Sequence, residues 1–155
     1  MAEKAEKKTE TNAYNVGFTK ENNPDGMIQR TLIIFKPDAV QRGIVGEILS
    51  RFERVGLKIV ATKMVNPDKD KYYYHYEGIS KMISRRGQQA FDWTVNFMTS
   101  GPVIAMVLEG VEAIPVVRKM VGSTEPMAAD MGTIRGDFAH VSFGYASARS
   151  EATAN

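Results

Sequence analysis

Apolar positions along the chain switch between two periods, and each period predicts an element. Leu32-Ile33-Ile34-Phe35, within Thr31–Lys36, is apolar at consecutive positions and predicts a strand buried on both faces. Pro37 ends it, because proline has no N–H for a ladder. From Gly43 to Val55, residues Ile44, Val45, Ile48, Leu49, Phe52 and Val55 recur at helical spacing, with Gly56 as the stop. Leu57–Val65 is rich in β-branched residues and predicts a second strand. Lys69–Tyr76 predicts a short helix, and Ile79–Met98 a helical stretch broken at Arg85-Arg86-Gly87. Gly101-Pro102 introduces a strand over Val103–Leu108. A helix follows from about Glu112 to Val121, with Ala113, Val116, Val117 and Met120 inward and Pro115 tolerated in its first turn. Ser123–Gly136 lacks periodicity and predicts a long loop, and Phe138–Phe143 a last strand. The order is β-α-β, a helical excursion, then β-α-β: an α+β, ferredoxin-like βαββαβ antiparallel sheet covered by helices.

The ends read differently. Residues 1–12 carry mixed charge and nothing to bury, so they predict a disordered tail. Tyr14, Val16 and Phe18 alternate with Asn15 and Gly17, the pattern of an extended arm closed by the turn cluster Asn22–Gly26. The domain is expected over residues 30–144, preceded by tail and arm in 1–29. Residues 145–155 are small and polar, an insertion or a truncated C-terminus without core anchors.

Composition narrows the chemistry. The 20 Lys and Arg against 18 Asp and Glu leave a formal charge of +2, so an anion site must be local and no specific nucleic acid is expected. An RNA-binding module of this topology needs exposed aromatics on its central strands, and Val103–Leu108 offers none. There is no cysteine, which excludes disulfides, a thiolate nucleophile and a Cys-ligated zinc. The longest apolar run, Val103–Leu108, is six residues, far short of a membrane span. With no apolar leader at the N-terminus, a cytoplasmic protein is expected.

Lys36, in Lys36-Pro37-Asp38-Ala39, is held at the end of a strand by a stiff turn. A lysine snorkelling at a strand terminus would look the same. Arg118 and Lys119 lie in the last turn of a helix, where cations suit the dipole. Thr124 opens the long loop and Thr133-Ile134-Arg135-Gly136-Asp137 closes it. A hydroxyl and two arginines brought together could clamp a polyphosphate by charge-assisted hydrogen bonds, although Arg135 could equally pair with Asp137.

All of these residues but Thr124 lie in stretches that together resemble the nucleoside diphosphate kinase family: Arg30–Gly43, Val45–Glu53, Gly56–Lys58, Phe97–Pro102, Val117–Gly122 and Gly132–Phe138. The resemblance runs from about residue 30 to 144, with one insertion around residues 77–90. It implies transfer of the γ-phosphate of a nucleoside triphosphate to a nucleoside diphosphate through a phosphohistidine, with Mg2+ carried on the phosphates of ATP or another triphosphate rather than by metal ligands of the protein. By matched position it assigns Lys36 to the terminal phosphate, Tyr76 to a place beside Lys36 and the nucleophile, and Arg118, Thr124 and Arg135 to the phosphates. It also implies a homo-oligomer, a tetramer or hexamer.

Two departures stand out. Where the family usually carries an aromatic pair on the helical excursion, this chain has Ala90 at the base-stacking position and Phe91 at the second. The family's catalytic segment, Asn-x-x-His-Gly-Ser-Asp, is matched at most in its first letter, by Asn155, so a truncation just before the nucleophile is expected. The only histidines, His75 and His140, fall elsewhere, His140 on the expected last strand. The alternative is a non-catalytic nucleotide-binding or assembly protein of the same fold.

Overall fold

The computed structural model describes Thr19 and residues 21–148. The expected tail, the arm at Tyr14–Phe18 and Asn155 lie outside these residues.

Three strands form one antiparallel sheet in the order β1-β3-β2, with β1 at Ile28–Phe35, β2 at Lys58–Val65 and β3 at Val103–Val111. The β1–β3 register runs from Ile28 opposite Val111 to Phe35 opposite Ile104. The β2–β3 ladder shifts between Ile59 and Ala61. Arg30 faces Glu109 across β1 and β3 and bonds it at 2.7–2.8 Å.

Period-2 alternation gives the sheet two different faces. On one, Phe35, Met106 and Leu108 meet Ile48 and Phe52 of α2 (Val45–Arg54) and Ala113 and Val117 of the later helix α6 (Ala113–Val121). Phe52 and Leu108 are essentially sealed, each burial contributing roughly 1.5–3 kcal/mol. On the other face, Val103, Ile34 and Val65 pack under Tyr72, Phe91, Val95 and Met98. These come from α3 (Lys69–Tyr73) and α5 (Gln88–Met98), which cover only one end of that face. Leu32 therefore stays 47% exposed, and β1 is not buried on both faces as its apolar run predicts. Val55 is also exposed, because it follows the end of α2 instead of sitting on its inner stripe.

The helical excursion follows its sequence signals except for an added break at Ser80-Lys81, where Lys81 takes a φ of 51°. Asp68 caps α3 by accepting the Lys71 N–H at 2.9 Å. The chain then widens into a π-turn over Tyr74–Ile79, and α4 (Met82–Arg86) ends at Gly87, whose φ of 87° separates it from α5. Pro37 does more than end β1: it opens a short helix, α1 (Pro37–Gln41), as its first residue.

The last part of the chain departs from expectation. Within the expected loop, Pro126–Ala128 forms a 3-10 turn, and Thr133 caps α7 (Ile134–Phe138) by accepting the Gly136 N–H at 3.1 Å. Phe138 ends that helix and packs on the first core, with the Arg51 guanidinium 4.7 Å from its ring centre. Phe138–Phe143 is thus not a strand: its first residue belongs to a capped helix and its last opens α8 (Phe143–Ala148). Glu125 accepts the Phe143 N–H at 3.1 Å and fixes that start. Residues 145–148 are not without anchors, since Ala146 is buried. Among the described residues, β1 therefore keeps one side of its backbone free of a strand partner.

Candidate active site

A cavity of about 130 Å³ lies where β1 hands over to α1. Its floor is apolar, built by Ile33 and Phe35, by Ile48 and Phe52 of α2, and by Ile134 and Phe138 of α7. Its polar lining is Lys36, Asp38, Arg42 and Arg135. Two of these, Lys36 and Arg135, are residues singled out from the sequence, and the fold brings them to one wall from distant parts of the chain.

Lys36 is the N-cap of α1, in extended conformation before Pro37, and its carbonyl accepts the Val40 N–H at 3.2 Å. Pro37 is among the most deeply buried residues, so the backbone on the C-terminal side of Lys36 is fixed. The ammonium lies 6.0 Å from the Phe97 ring centre. Burial, and then the Arg135 charge, pull the Lys36 pKa below its ordinary 10.5, while Asp38 pulls the other way.

Arg135 sits in α7 and donates from Nη1 to the Gly122 carbonyl at 3.0 Å. That bond ties it to the start of the long loop, two residues before Thr124. It does not bond Asp137, whose partners are Arg51 at 2.6 Å and the Gly132 N–H at 2.8 Å. Arg135 Nε is shut off from solvent without a partner. Burial and then the Arg118 charge lower its pKa from the ordinary 12.5. Arg118, in the last turn of α6, and Thr124 are both exposed. Neither is among the residues that line the cavity, whose cations are Lys36, Arg42 and Arg135, a set suited to a polyanion.

Tyr76 approaches from the second core. Its ring stacks on Tyr72 at 6.3 Å and meets His75 edge-on at 4.9 Å, and it packs in the same cluster as Phe97. Burial, with Tyr72 second, pushes its pKa up to about 12. His75 is half-buried against Tyr76, and His140 is exposed in the segment after α7, not on a strand face. Ala90 is half-buried in α5, while Phe91 is core, with Tyr73 edge-on at 5.6 Å.

Asp38 and Arg42 were not singled out by sequence. Their signal was present, two charged residues following a buried lysine, but only the α1 turn shows that they share its cavity.

The family model for nucleoside diphosphate kinase matches residues 29–153. The chain belongs to the nucleoside diphosphate kinase family. It is 48% identical over 121 residues to the nucleoside diphosphate kinase of Borreliella burgdorferi, covering 77% of this chain and 71% of that one. It is 49% identical over 111 residues to that of Saccharolobus solfataricus, covering 72% and 76%. Among solved structures, the Borrelia burgdorferi kinase with bound vanadate and ADP, a transition-state mimic, superposes with a TM-score of 0.77 at 44% identity. That match covers 82% of this chain and 75% of that one. The kinase from Halobacterium salinarum in complex with CDP gives 0.66 at 41% identity, covering 76% and 72%. Nucleoside diphosphate kinases are phosphotransferases acting on nucleotides, and the α+β sheet with its covering helices is that family's fold. Among the described residues no helix is long and apolar enough to cross a membrane.

Proposed function

We propose that the Lys36–Arg135 cavity and its surroundings are the phosphate grip of a nucleoside diphosphate kinase. Lys36 takes the terminal phosphate, Arg118, Thr124 and Arg135 take the remaining phosphate oxygens, and Tyr76 supports the lysine from the second core. The observation that carries this reading is the convergence of Lys36 and Arg135 on one cavity. Asn155 joins the set by its place in the family's motif.

In the family's reaction the γ-phosphorus leaves its bridging oxygen and bonds a histidine nitrogen, and the nucleoside diphosphate departs with the electron pair. A second diphosphate takes the phosphoryl group back. Fixed cations accelerate such a step by meeting charge where it develops, without reorganising. Lys36 and Arg135 are held by backbone and carbonyl contacts that suit this task. The cationic donors fit a phosphate chain better than a bare metal, so Mg2+ would arrive on the phosphate oxygens, where it supplies further charge neutralisation. We also propose a homo-oligomer, a tetramer or hexamer, measurable by light scattering at micromolar concentration; a monomer would refute it.

Residues 1–155 hold two histidines, and neither stands in the nucleophile's place of the family motif. His75 is engaged with Tyr76, and His140 is exposed beyond α7. Our reading for these 155 residues is nucleotide binding without a phosphohistidine. The test is calorimetric titration with ADP and magnesium, together with intact mass after ATP and magnesium without acid. Binding that is lost in Lys36→Ala and Arg135→Ala, with no phosphoryl adduct, is expected. An acid-labile adduct on the 155-residue mass would refute the assignment of the nucleophile. Unchanged ADP affinity in both variants would refute the grip.

A further inference from the structure

The outer edge of β1 already carries the beginning of a partner. The Met27 carbonyl accepts the Glu112 N–H at 2.7 Å, on the side of β3. Backbone groups in an antiparallel pair point to alternate sides, so Ile28, Leu32 and Ile34 direct theirs away from β3. At Ile28 both outward groups are taken. The Asn23 amide donates from Nδ2 to the Ile28 carbonyl at 2.9 Å, and its Oδ1 accepts the Ile28 N–H at 3.0 Å. A side chain thus stands where a neighbouring strand's backbone would exchange both bonds. Further along, past Leu32 and Ile34, no strand lies on that side among the described residues. An apolar edge of this kind is a template for pairing.

The chain that leads into Asn23 lies on the same outer side. The Asn23 N–H donates to the Thr19 carbonyl at 2.9 Å, Thr19 Oγ1 accepts the Asn22 N–H at 3.2 Å, and Asn22 Oδ1 accepts the Thr19 N–H at 2.7 Å. Thr19–Asn23 is therefore one closed turn beside Ile28, and it brings what precedes Thr19 to the open edge. That is Tyr14–Phe18, apolar at every second position. Five residues of antiparallel strand rise about 17 Å, enough to run from Ile28 past Leu32. Leu32 shares its face with Ile34 and is 47% exposed, where α3 and α5 stop short. An apolar stripe beside it would extend the second core over that face.

We propose that Tyr14–Phe18 pairs antiparallel with the outer edge of β1 as a fourth strand, with Tyr14, Val16 and Phe18 on the face of Leu32. Thr19–Gly26 is then the hairpin connection. The pairing braces the strand that ends at Lys36, and it stands independently of the phosphate assignment.

Amide hydrogen exchange of the full 155-residue chain, followed by 15N NMR, tests this. Leu32 reports the outer edge, and Ile33, whose backbone faces β3, is the internal control. Leu32 is expected to exchange slowly in the wild type. Successive N–H groups of a strand alternate in direction, so one of Val16→Pro and Gly17→Pro must remove a donor to β1. That variant is expected to speed Leu32 exchange about tenfold or more and leave Ile33 unchanged. Thr9→Pro, outside the arm, should change neither. Fast Leu32 exchange in the wild type overturns the proposal. Slow exchange that survives both arm variants also overturns it, because something else then covers the edge. A second copy is indicated if protection rises with protein concentration, and residues after 148 if it does not.

If neither arm variant folds, the wild type still decides. Nuclear Overhauser contacts between the backbone protons of residues 14–18 and those of residues 30–34 are expected, and their absence overturns the pairing.

Discussion

Gly136→Ala probes the scaffold that holds Arg135, and the atoms around Gly136 set its cost. Gly136 is the third residue of α7, so its backbone is helical and alanine would ordinarily be favoured there. Space forbids it. An added Cβ would lie 2.7 Å from the Asp130 carbonyl carbon, closer still to its oxygen, and 3.0 Å from Thr133 Oγ1. Ordinary carbon–oxygen contacts are about 3.3 Å or more, so the overlap with rigid backbone is severe. Relief requires the Asp130–Thr133 turn or α7 to move. Movement breaks the Thr133 N–H bond to the Asp130 carbonyl at 3.1 Å, the Thr133 hydroxyl bond to the same oxygen at 2.6 Å, and the cap on Gly136 at 3.1 Å. Overpacking costs about 1–3 kcal/mol. Loss of the cap adds about 1 kcal/mol. A destabilisation of about 2–4 kcal/mol lowers Tm by roughly 5–15 °C in a chain of this size. The assay is urea unfolding followed by circular dichroism, with Gly46→Ala in α2 as control. Gly46 has nothing within 4 Å of its added Cβ, so alanine there should be neutral or stabilising, by up to about 1 kcal/mol. ADP affinity should fall with Gly136→Ala, because Arg135 is the adjacent residue. Stability within about 0.5 kcal/mol of wild type would mean that the added methyl meets no rigid backbone, since a loss that small is within the scatter of ordinary surface changes.

Leu108→Ala removes a fully buried side chain from the central strand and should cost about 2–5 kcal/mol in the same denaturation assay. Arg135→Lys keeps the charge but loses the planar fork, so the Gly122 carbonyl bond goes and ADP should bind weaker by about 1.5–3 kcal/mol in calorimetry. The Asp137 pKa is held below its ordinary 3.8 by the Gly132 N–H first and Arg51 second. Its stabilisation is therefore present above pH 3.8 and lost as pH falls through the depressed value. Asp137→Asn should flatten that part of the acid-unfolding curve. Tyr76 has the opposite sign: its phenol is raised from 10.0 to about 12, so its contribution is complete below pH 10 and lost as pH rises towards 12. Ultraviolet titration of the folded chain should lose its highest-titrating phenol in Tyr76→Phe.

Elements whose burial is local and periodic are legible in the order of residues alone. The stripe from Ile44 to Phe52, the apolar run of β3 and the break at Gly87 each specify their own backbone through side-chain period or a positive φ, and they appear where the pattern puts them. Motif spacing was equally legible: Lys36 at a strand end and Arg135 closing a loop are local facts. What those facts meant depended on tertiary structure. Whether β1 is covered on both faces is decided by how far α3 and α5 reach, and they stop short of Leu32. Residues 138–143 have a strand's composition, but the Thr133 cap and Glu125's hold on the Phe143 N–H draw both ends into helices. Asp38 carries no periodic signal, because a charge has no pattern until the chain closes around it. Only the fold of α7 onto the first core brings Arg135 to the cavity that Lys36 and Asp38, two residues apart in the chain, also line.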